Sequence, residues 1–143
     1  MRKIFFSPWD HFNFVTHVLT ELKDGREVRA ANDITMAATY VPDPVHTCLN
    51  LLLDGEEVIF HIANEGAVSL ATLARKAAVM AGYDLSQIRG VASSRLSFAA
   101  TRPKYSVLKS EKGIRLPHLE DALRRCLEAC ADSLSSQSIA VQF

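Results

Sequence analysis

The stretch Val58–Ala78, V-I-F-H-I-A-N-E-G-A-V-S-L-A-T-L-A-R-K-A-A, decides the fold because it places a strand, a turn and a helix in succession. Glu57–Ala63 is rich in β-branched and aromatic residues and predicts a strand, which Asn64-Glu65-Gly66 ends. Ser69 is predicted to cap a helix with an apolar face. The residues on that face are Leu70, Leu73, Ala74, Ala77 and Ala81. This order indicates mixed α/β architecture.

The same alternation precedes this stretch. Lys3–Phe6 predicts a strand, and Asp10 is predicted to cap a first helix that Gly25 ends. The apolar face of that helix holds Val15, Val18, Leu19 and Leu22. Glu27–Ala31 predicts a second strand, and the polar stretch Asn32–Ala38 predicts a loop. The chain therefore opens as strand, helix, strand.

Asp43-Pro44 predicts the start of a further helix, because aspartate accepts a free amide and proline suits the first turn. Its predicted buried stripe is Val45, Cys48, Leu49 and Leu52. Ile88–Ala92 predicts a short strand, and Ser93–Lys112 predicts mostly loop. Pro117 is predicted to open the last helix. Its apolar face holds Leu119, Ala122, Leu123, Cys126, Leu127 and Cys130.

These elements predict one mixed α/β (α+β) domain over residues 1–132. Residues 133–143 are predicted to form a tail that is disordered or adds an edge strand. With 48% hydrophobic and 22% charged residues, the composition is that of an ordinary globular domain. No internal repeat is present.

The charge balance argues against several classes of partner. Sixteen basic residues offset sixteen acidic ones, so no global field favours nucleic acid or a membrane surface.

No apolar run approaches the roughly 18 residues that cross a bilayer. The three cysteines, an odd number in apolar helical patterns, indicate buried reduced thiols. We therefore expect a cytoplasmic location.

The segment Arg95–Arg115 concentrates positive charge in a neutral chain. It contains Arg95, Arg102, Lys104, Lys109, Lys112 and Arg115 against the single acid Glu111. Such a loop can grip a pyrophosphate through planar guanidinium donors and ammonium charges. It can equally be a solvated loop that balances acids elsewhere. The residues alone leave both interpretations open.

No residue set predicts catalysis or a metal site. Tyr105 and Lys109 have the Y-x-x-x-K spacing of short-chain dehydrogenases, but Pro103 precedes them in a loop context, so we interpret the match as chance. None of the six glycines forms G-x-G-x-x-G or a phosphate-binding loop. We therefore expect no cofactor in this chain. The five histidines lack a nucleophile elbow or a zinc-ligand spacing.

Three groups of motifs together resemble the C-terminal half of dTDP-4-dehydrorhamnose reductases, in the extended short-chain dehydrogenase superfamily. The first is F-F-S-P-W-D-H-F-N-F-V (5–15), the second joins A-T-Y-V-P-D-P-V (38–45) to Val58–Ala78, and the third is R-P-K-Y-S-V-L-K-S-E-K (102–112) with the last helix. The match covers roughly residues 1–130. In that family, this half shapes the sugar-nucleotide pocket, while the N-terminal half holds the Rossmann unit and the catalytic Tyr/Lys pair.

The resemblance implies a sugar-nucleotide-binding domain without redox activity of its own. It implies that Arg102 contacts the phosphates, with Lys104 as a weaker candidate. Trp9, Asn13 and Tyr40 would line the sugar or base side. NADPH or NADH is expected only with a missing N-terminal half. The expected partners are a sugar nucleotide and either a second copy or the missing Rossmann half, or a glycosidase-like domain as in fused relatives.

Two departures from the family pattern affect these expectations. The family's D-Q-x-G-x-P-T loop appears here as residues Asp33–Thr39, D-I-T-M-A-A-T, without the glycine and proline. Its paired arginines before proline are reduced to Arg102. An alternative hypothesis is therefore a non-catalytic dimerisation or docking module that has lost ligand binding.

Overall fold

The computed structural model describes residues 4–10, 12–110 and 112–139, with side chains described as far as residue 131. The helices are α1 (Phe14–Lys23), α2 (Pro42–Leu53), α3 (Leu70–Met80) and α4 (Leu119–Ile139), with 3-10 turns at Leu85–Gln87 and Ser93–Arg95. The strands are β1 (Ile4–Phe6), β2 (Val28–Ala31), β3 (Thr35–Met36), β4 (Ala38–Tyr40), β5 (Asn64–Glu65), β6 (Val68–Ser69), β7 (Ile88–Val91), β8 (Tyr105–Ser106) and β9 (Leu116–His118). The mixed α/β fold is confirmed.

The described strands form small, mostly parallel sheets. β1 pairs with β4, β2 with β7, and β5 with β9, all in parallel. β3 lies between β6, which is antiparallel to it, and β8, which is parallel. In the register of β1 and β4, Phe6 lies opposite Tyr40. The carboxyl ends of these two strands therefore meet at one edge.

The core lies between α1, α3 and α4 and the strands beneath them. α3 is central and packs against α1, α4, β2 and β7. Small side chains allow this close approach, since Ala74 and Ala77 are fully buried. Ala81, predicted on the same face, is exposed because it follows the last helical turn.

The N-terminus of α1 corrects the predicted cap. Asn13, not Asp10, is the N-cap, and its Oδ1 accepts from the Thr16 amide at 2.9 Å. Asp10 instead accepts from the Phe12 amide at 2.8 Å in the preceding turn. Ser69 caps α3 as predicted, since its Oγ accepts from the Thr72 amide.

The stripe of α2 that the sequence predicted to be buried is exposed. No residue of α2 is buried, and Leu52 and Leu53 are 74% and 85% exposed. The helix begins at Pro42, and the structure shows no side-chain cap at its N-terminus. Asp43 serves a different purpose, because its carboxylate pairs with Arg125 of α4.

Other predicted boundaries also change. Glu57–Ala63 is irregular, and the strand is confined to β5, where Asn64 is buried. The predicted loop Asn32–Ala38 contains β3 and the start of β4. Pro117 lies inside β9, so the last helix begins at Leu119.

α4 continues to Ile139, so residues 133–139 are helical where an edge strand or disorder was predicted. Residues 140–143 lie outside the described part. No helix in the described part of the chain combines the length and apolarity needed to cross a bilayer.

Candidate functional site

A cleft of about 360 Å³ lies between the loop before β8 and the strand β3. Arg102 lies at this cleft, opposite the apolar side chains Ile34 and Met36. The remaining lining residues are Ala99, Ala100, Thr101, Pro103 and Ser106. Such a wall is apolar with one cationic group, which suits a ligand that carries both a ring and an anion.

The Arg102 guanidinium lies over the Phe98 ring, with its central carbon 4.5 Å from the ring centroid. This stacking uses the face of the guanidinium and leaves its N–H edges free. Among the described residues, no carboxylate forms an ion pair with Arg102. Arg102 is therefore a positioned cation with donors available for an anion.

Asp33 lies near this basic loop but does not neutralise Arg102. Its two carboxylate oxygens accept from Ser93, at 2.8 Å from the backbone amide and 2.9 Å from the hydroxyl. These hydrogen bonds, led by the one from the amide, hold the pKa of Asp33 below its ordinary value. They also fasten the turn after β2 to the turn after β7.

Lys104 is exposed beside the cleft and is held there through its backbone. Its carbonyl oxygen accepts from the Thr35 amide at 2.8 Å, next to the pairing of β3 and β8. The ammonium group lies close enough to contribute to the lowered pKa of Asp33. Lys104 therefore adds positive charge at the rim, while Arg102 lies at the cleft itself.

The other three predicted site residues gather at a different place, the carboxyl edge of β1 and β4. Trp9 follows β1 and is 70% exposed. Asn13 is buried, and its amide nitrogen donates to the Ser7 carbonyl at 3.0 Å, so its polar atoms serve the turn. Tyr40 is buried against Phe6, and burial raises its pKa. In the described part of the chain, none of these three lines the Arg102 cleft.

A buried polar cluster behind Tyr40 was missed from the sequence. Arg125 of α4 donates to both oxygens of Asp43, at 2.6 and 2.9 Å. Asn64 donates to Asp43 at 2.6 Å and accepts from the Tyr40 amide at 2.8 Å. The Arg125 guanidinium also lies over the Tyr40 ring at 5.1 Å. In the sequence, Asp43-Pro44 predicts a helix cap and Asn64-Glu65-Gly66 predicts a turn, so neither pattern indicates this cluster.

The Tyr105 and Lys109 pair lacks the geometry of a catalytic helix. Tyr105 lies on β8 and is 70% exposed, and Lys109 follows in an irregular segment. The two side chains therefore share no helix face, which the proton-transfer pairing of this spacing requires.

The described residues do not fit a nicotinamide dinucleotide. Its pyrophosphate needs glycines at a turn between a strand and a helix. Here the turns from β1 to α1 and from β4 to α2 contain no glycine. Glycines follow the carboxyl ends of α1, α2 and α3 instead, at Gly25, Gly55 and Gly82. We therefore derive no hydride-transfer step for this chain.

The sequence matches the family model described as the RmlD substrate binding domain, over residues 5–132. The chain belongs to this family. It is also 31% identical, over 132 residues, to a probable low-salt glycan biosynthesis reductase of Haloferax volcanii. That alignment covers 89% of this chain and 44% of the relative.

Solved structures share the fold of this RmlD-type domain. A dTDP-4-dehydrorhamnose reductase from Bacillus anthracis superposes with a TM-score of 0.81 at 23% identity, over 87% of this chain and 46% of its own. A Clostridium acetobutylicum dTDP-4-dehydrorhamnose reductase ortholog gives a TM-score of 0.80 at 21% identity, over 87% and 45%. The chain thus spans less than half the length of these proteins.

A second concavity lies among the helices. This groove of about 720 Å³ separates α1, the end of α3 and α4, and its wall includes Leu19, Tyr83 and Cys130. Arg124 and Glu128, which pair with each other at 2.8 Å, lie at this groove. The charge of Arg124 is therefore matched, whereas Lys23, which also lines this groove, forms no ion pair among the described residues.

Proposed function

We propose that this RmlD-type domain binds a nucleoside-diphosphate sugar of the dTDP-4-dehydrorhamnose type through the Arg102 cleft, and that it is not redox-active alone. The observation that carries the proposal is the Arg102 guanidinium, which is stacked on Phe98 at the cleft without a carboxylate partner among the described residues. A diphosphate is the anion that its free donor edges suit.

The cleft also suits the non-ionic parts of such a ligand. Ala99, Ala100 and Pro103 line the cleft and are exposed, so they supply apolar surface for a sugar or base above the buried Ile34 and Met36, and Lys104 adds a second positive charge at the rim. The matched Bacillus and Clostridium structures are dTDP-4-dehydrorhamnose reductases, which supports the choice of ligand class. Trp9 is a further candidate for stacking on the ligand, because its side chain is exposed at the carboxyl edge of β1 and β4.

Isothermal titration calorimetry with dTDP-glucose tests this proposal. We expect measurable binding that weakens about tenfold or more in Arg102→Ala, the loss typical of one hydrogen-bonded charge. Arg89→Ala is the matched control, because Arg89 is an exposed arginine whose charge is already paired with Glu27 at 2.6 Å. Equal affinity in wild type and Arg102→Ala would overturn the assignment.

A further inference from the structure

The loop 93–104, which carries Arg102, is fastened at its first end by a pair of hydrogen bonds. Asp33 accepts through one carboxylate oxygen from the backbone amide of Ser93 at 2.8 Å, and through the other from the Ser93 hydroxyl at 2.9 Å. These bonds hold the chain just after it leaves β7. The pKa of Asp33 is held below its ordinary value, so at neutral pH the group is a carboxylate with both oxygens available as acceptors.

The second end of the same loop is fastened close to Asp33 in the chain. The amide of Thr35 donates to the carbonyl oxygen of Lys104 at 2.8 Å, where β3 begins to pair with β8. Asp33 and Thr35 flank Ile34, which lines the Arg102 cleft. Both ends of the loop are therefore attached to the segment that forms the opposite wall of the cleft.

Between its ends the loop has little regular structure to hold Arg102. Residues 99–103 belong to no helix or strand. Leu96 and Phe98 are partly buried and pack against the core, and the Arg102 guanidinium lies over the Phe98 ring at 4.5 Å. The position of the cation therefore depends on where the loop places Phe98, and the loop starts at Ser93.

We propose that Asp33 is a positioning residue for Arg102, because its hold on Ser93 fixes the start of the loop and so keeps Phe98 beneath the guanidinium. A cation that is already ordered loses little side-chain freedom when an anion binds, so a supporting contact of this kind raises affinity without touching the ligand. The consequence for binding rests on the proposed function, whereas the positioning of Arg102 is a property of the free protein.

The sign of the effect on binding separates positioning from simple electrostatics. A carboxylate near an anion site repels the anion, so on charge alone the removal of Asp33 would strengthen the binding of a diphosphate. Positioning predicts the opposite, because the loss of Asp33 frees the loop and Arg102 with it. Asp33→Asn removes the charge but keeps one oxygen that can accept from the Ser93 amide.

Proton NMR of the free protein tests the positioning. An aromatic ring shifts the resonances of groups above its face upfield, so the Arg102 side chain should show such shifts in the wild type and lose them in Phe98→Leu. In Asp33→Ala, we expect the Arg102 δ protons to move toward their positions in Phe98→Leu. Amide resonances outside residues 33–36 and 91–106 should keep their wild-type positions, which shows that the variant is folded.

Ser93 allows a milder change with a matched control. Ser93→Ala removes the hydroxyl bond and should lose part of the upfield shift, and Ser93→Thr, which keeps a hydroxyl, should restore it. The control is Ser86→Ala. Ser86 donates from its amide and its hydroxyl to Asp84 in the same way, but in the 3-10 turn at the other end of β7, so this variant should leave the Arg102 resonances unchanged.

Calorimetry with dTDP-glucose tests the consequence for binding. The affinity should fall about three- to tenfold in Asp33→Ala, the cost of ordering one such side chain, and less in Asp33→Asn. Unchanged Arg102 resonances in Asp33→Ala, or an affinity equal to or above that of the wild type, would overturn the positioning role. If the wild type does not bind dTDP-glucose, the proposed function fails, and the Arg102 resonances in the free protein alone decide the role of Asp33.

Discussion

Arg125 and Asp43 form a two-pronged ion pair that ties α4 to the first turn of α2, with nitrogen–oxygen distances of 2.6 and 2.9 Å. Asp43 is 7% exposed and Arg125 is 31% exposed, so the pair is largely shielded from water. The hydrogen bonds that Arg125 donates to the Asp43 carboxylate hold the pKa of Arg125 above its ordinary value. The ion pair holds α2 to α4, although no residue of α2 is buried in the described part of the chain.

Replacing Arg125 by Ala should lower the free energy of unfolding by about 2–4 kcal/mol, because Asp43 would remain buried without its cation. The neighbouring Arg124→Ala is the control. Arg124 forms exposed pairs with Asp121 and Glu128, so its loss should cost below about 1 kcal/mol. Urea unfolding of the wild type, Arg125→Ala and Arg124→Ala measures both losses of unfolding free energy. Equal costs for the two variants would contradict the role given to the Asp43 pair.

Leucines that look alike in sequence should differ sharply in their contribution to stability. Leu123→Ala, in the fully buried face of α4, should cost about 2–5 kcal/mol through lost packing and a cavity. Leu52→Ala, on the exposed face of α2, should change the free energy of unfolding by less than about 0.5 kcal/mol in the isolated chain. Thermal unfolding followed by circular dichroism compares the two. A large cost at Leu52 would show that α2 is covered.

Asn13→Ala should cost about 1–2 kcal/mol, because it removes the N-cap of α1. Asn13→Asp keeps the acceptor for the Thr16 amide but loses the donor to the Ser7 carbonyl, so its cost should be intermediate. Unfolding in urea gives the order. If Asn13→Ala were neutral for stability but weakened ligand binding, Asn13 would be a ligand contact and not a cap.

The cysteines should react with a thiol reagent in the order of their exposure. Burial, with Cys130 beside it, raises the pKa of the Cys126 thiol to about 12, so only about one such thiol in ten thousand is ionised at pH 8. Cys48 is exposed on α2. In native protein at pH 8, Cys48 should be modified first and Cys126 only after unfolding. Mass spectrometry of the modified peptides tests the order, and rapid native labelling of Cys126 would contradict its burial.

The Asp33–Ser93 contact should make stability depend on pH in the acid range. The folded pKa of Asp33 lies below the unfolded one, so its contribution is complete above about pH 4 and is lost as pH falls through the folded pKa. Ser93→Ala removes the hydroxyl donor and leaves the amide, so the pKa should rise part of the way to its ordinary value. Carbon-13 NMR titration of the carboxyl measures this shift. An identical titration in the variant would exclude the hydroxyl bond.

The sequence predicted those elements in which local pattern and burial agree. α1 and α3 combine apolar periodicity with polar residues near their starts, and both lie against the core. The family was identified from motifs and is confirmed by the match over residues 5–132. At α2 the apolar periodicity predicted the helix correctly but predicted a buried stripe, which is exposed in the structure. A pattern shows that a face is apolar and does not show which molecule covers it.

The candidate site was predicted in part for the same reason. Arg102 and Lys104 were proposed as site residues because a basic run stands out in a neutral chain and the family resemblance assigns this run to the phosphates. The stacking of Arg102 on Phe98, four residues before it, was missed because an irregular loop has no periodicity from which to predict such a contact. The Asp43–Asn64–Arg125 cluster was missed because its contacts join distant parts of the chain. Arg125 and Asp43 are 82 residues apart, and no local pattern encodes such a pair.

Mapping dTDP-glucose onto the protein by two-dimensional amide NMR tests the central claim most directly. We predict that the largest shifts fall in residues 99–106 and around Ile34 and Met36, and that Arg102→Ala abolishes most of them. Shifts concentrated in the groove between α1, α3 and α4, or no shifts at millimolar ligand, would contradict the assignment of the Arg102 cleft as the sugar-nucleotide site.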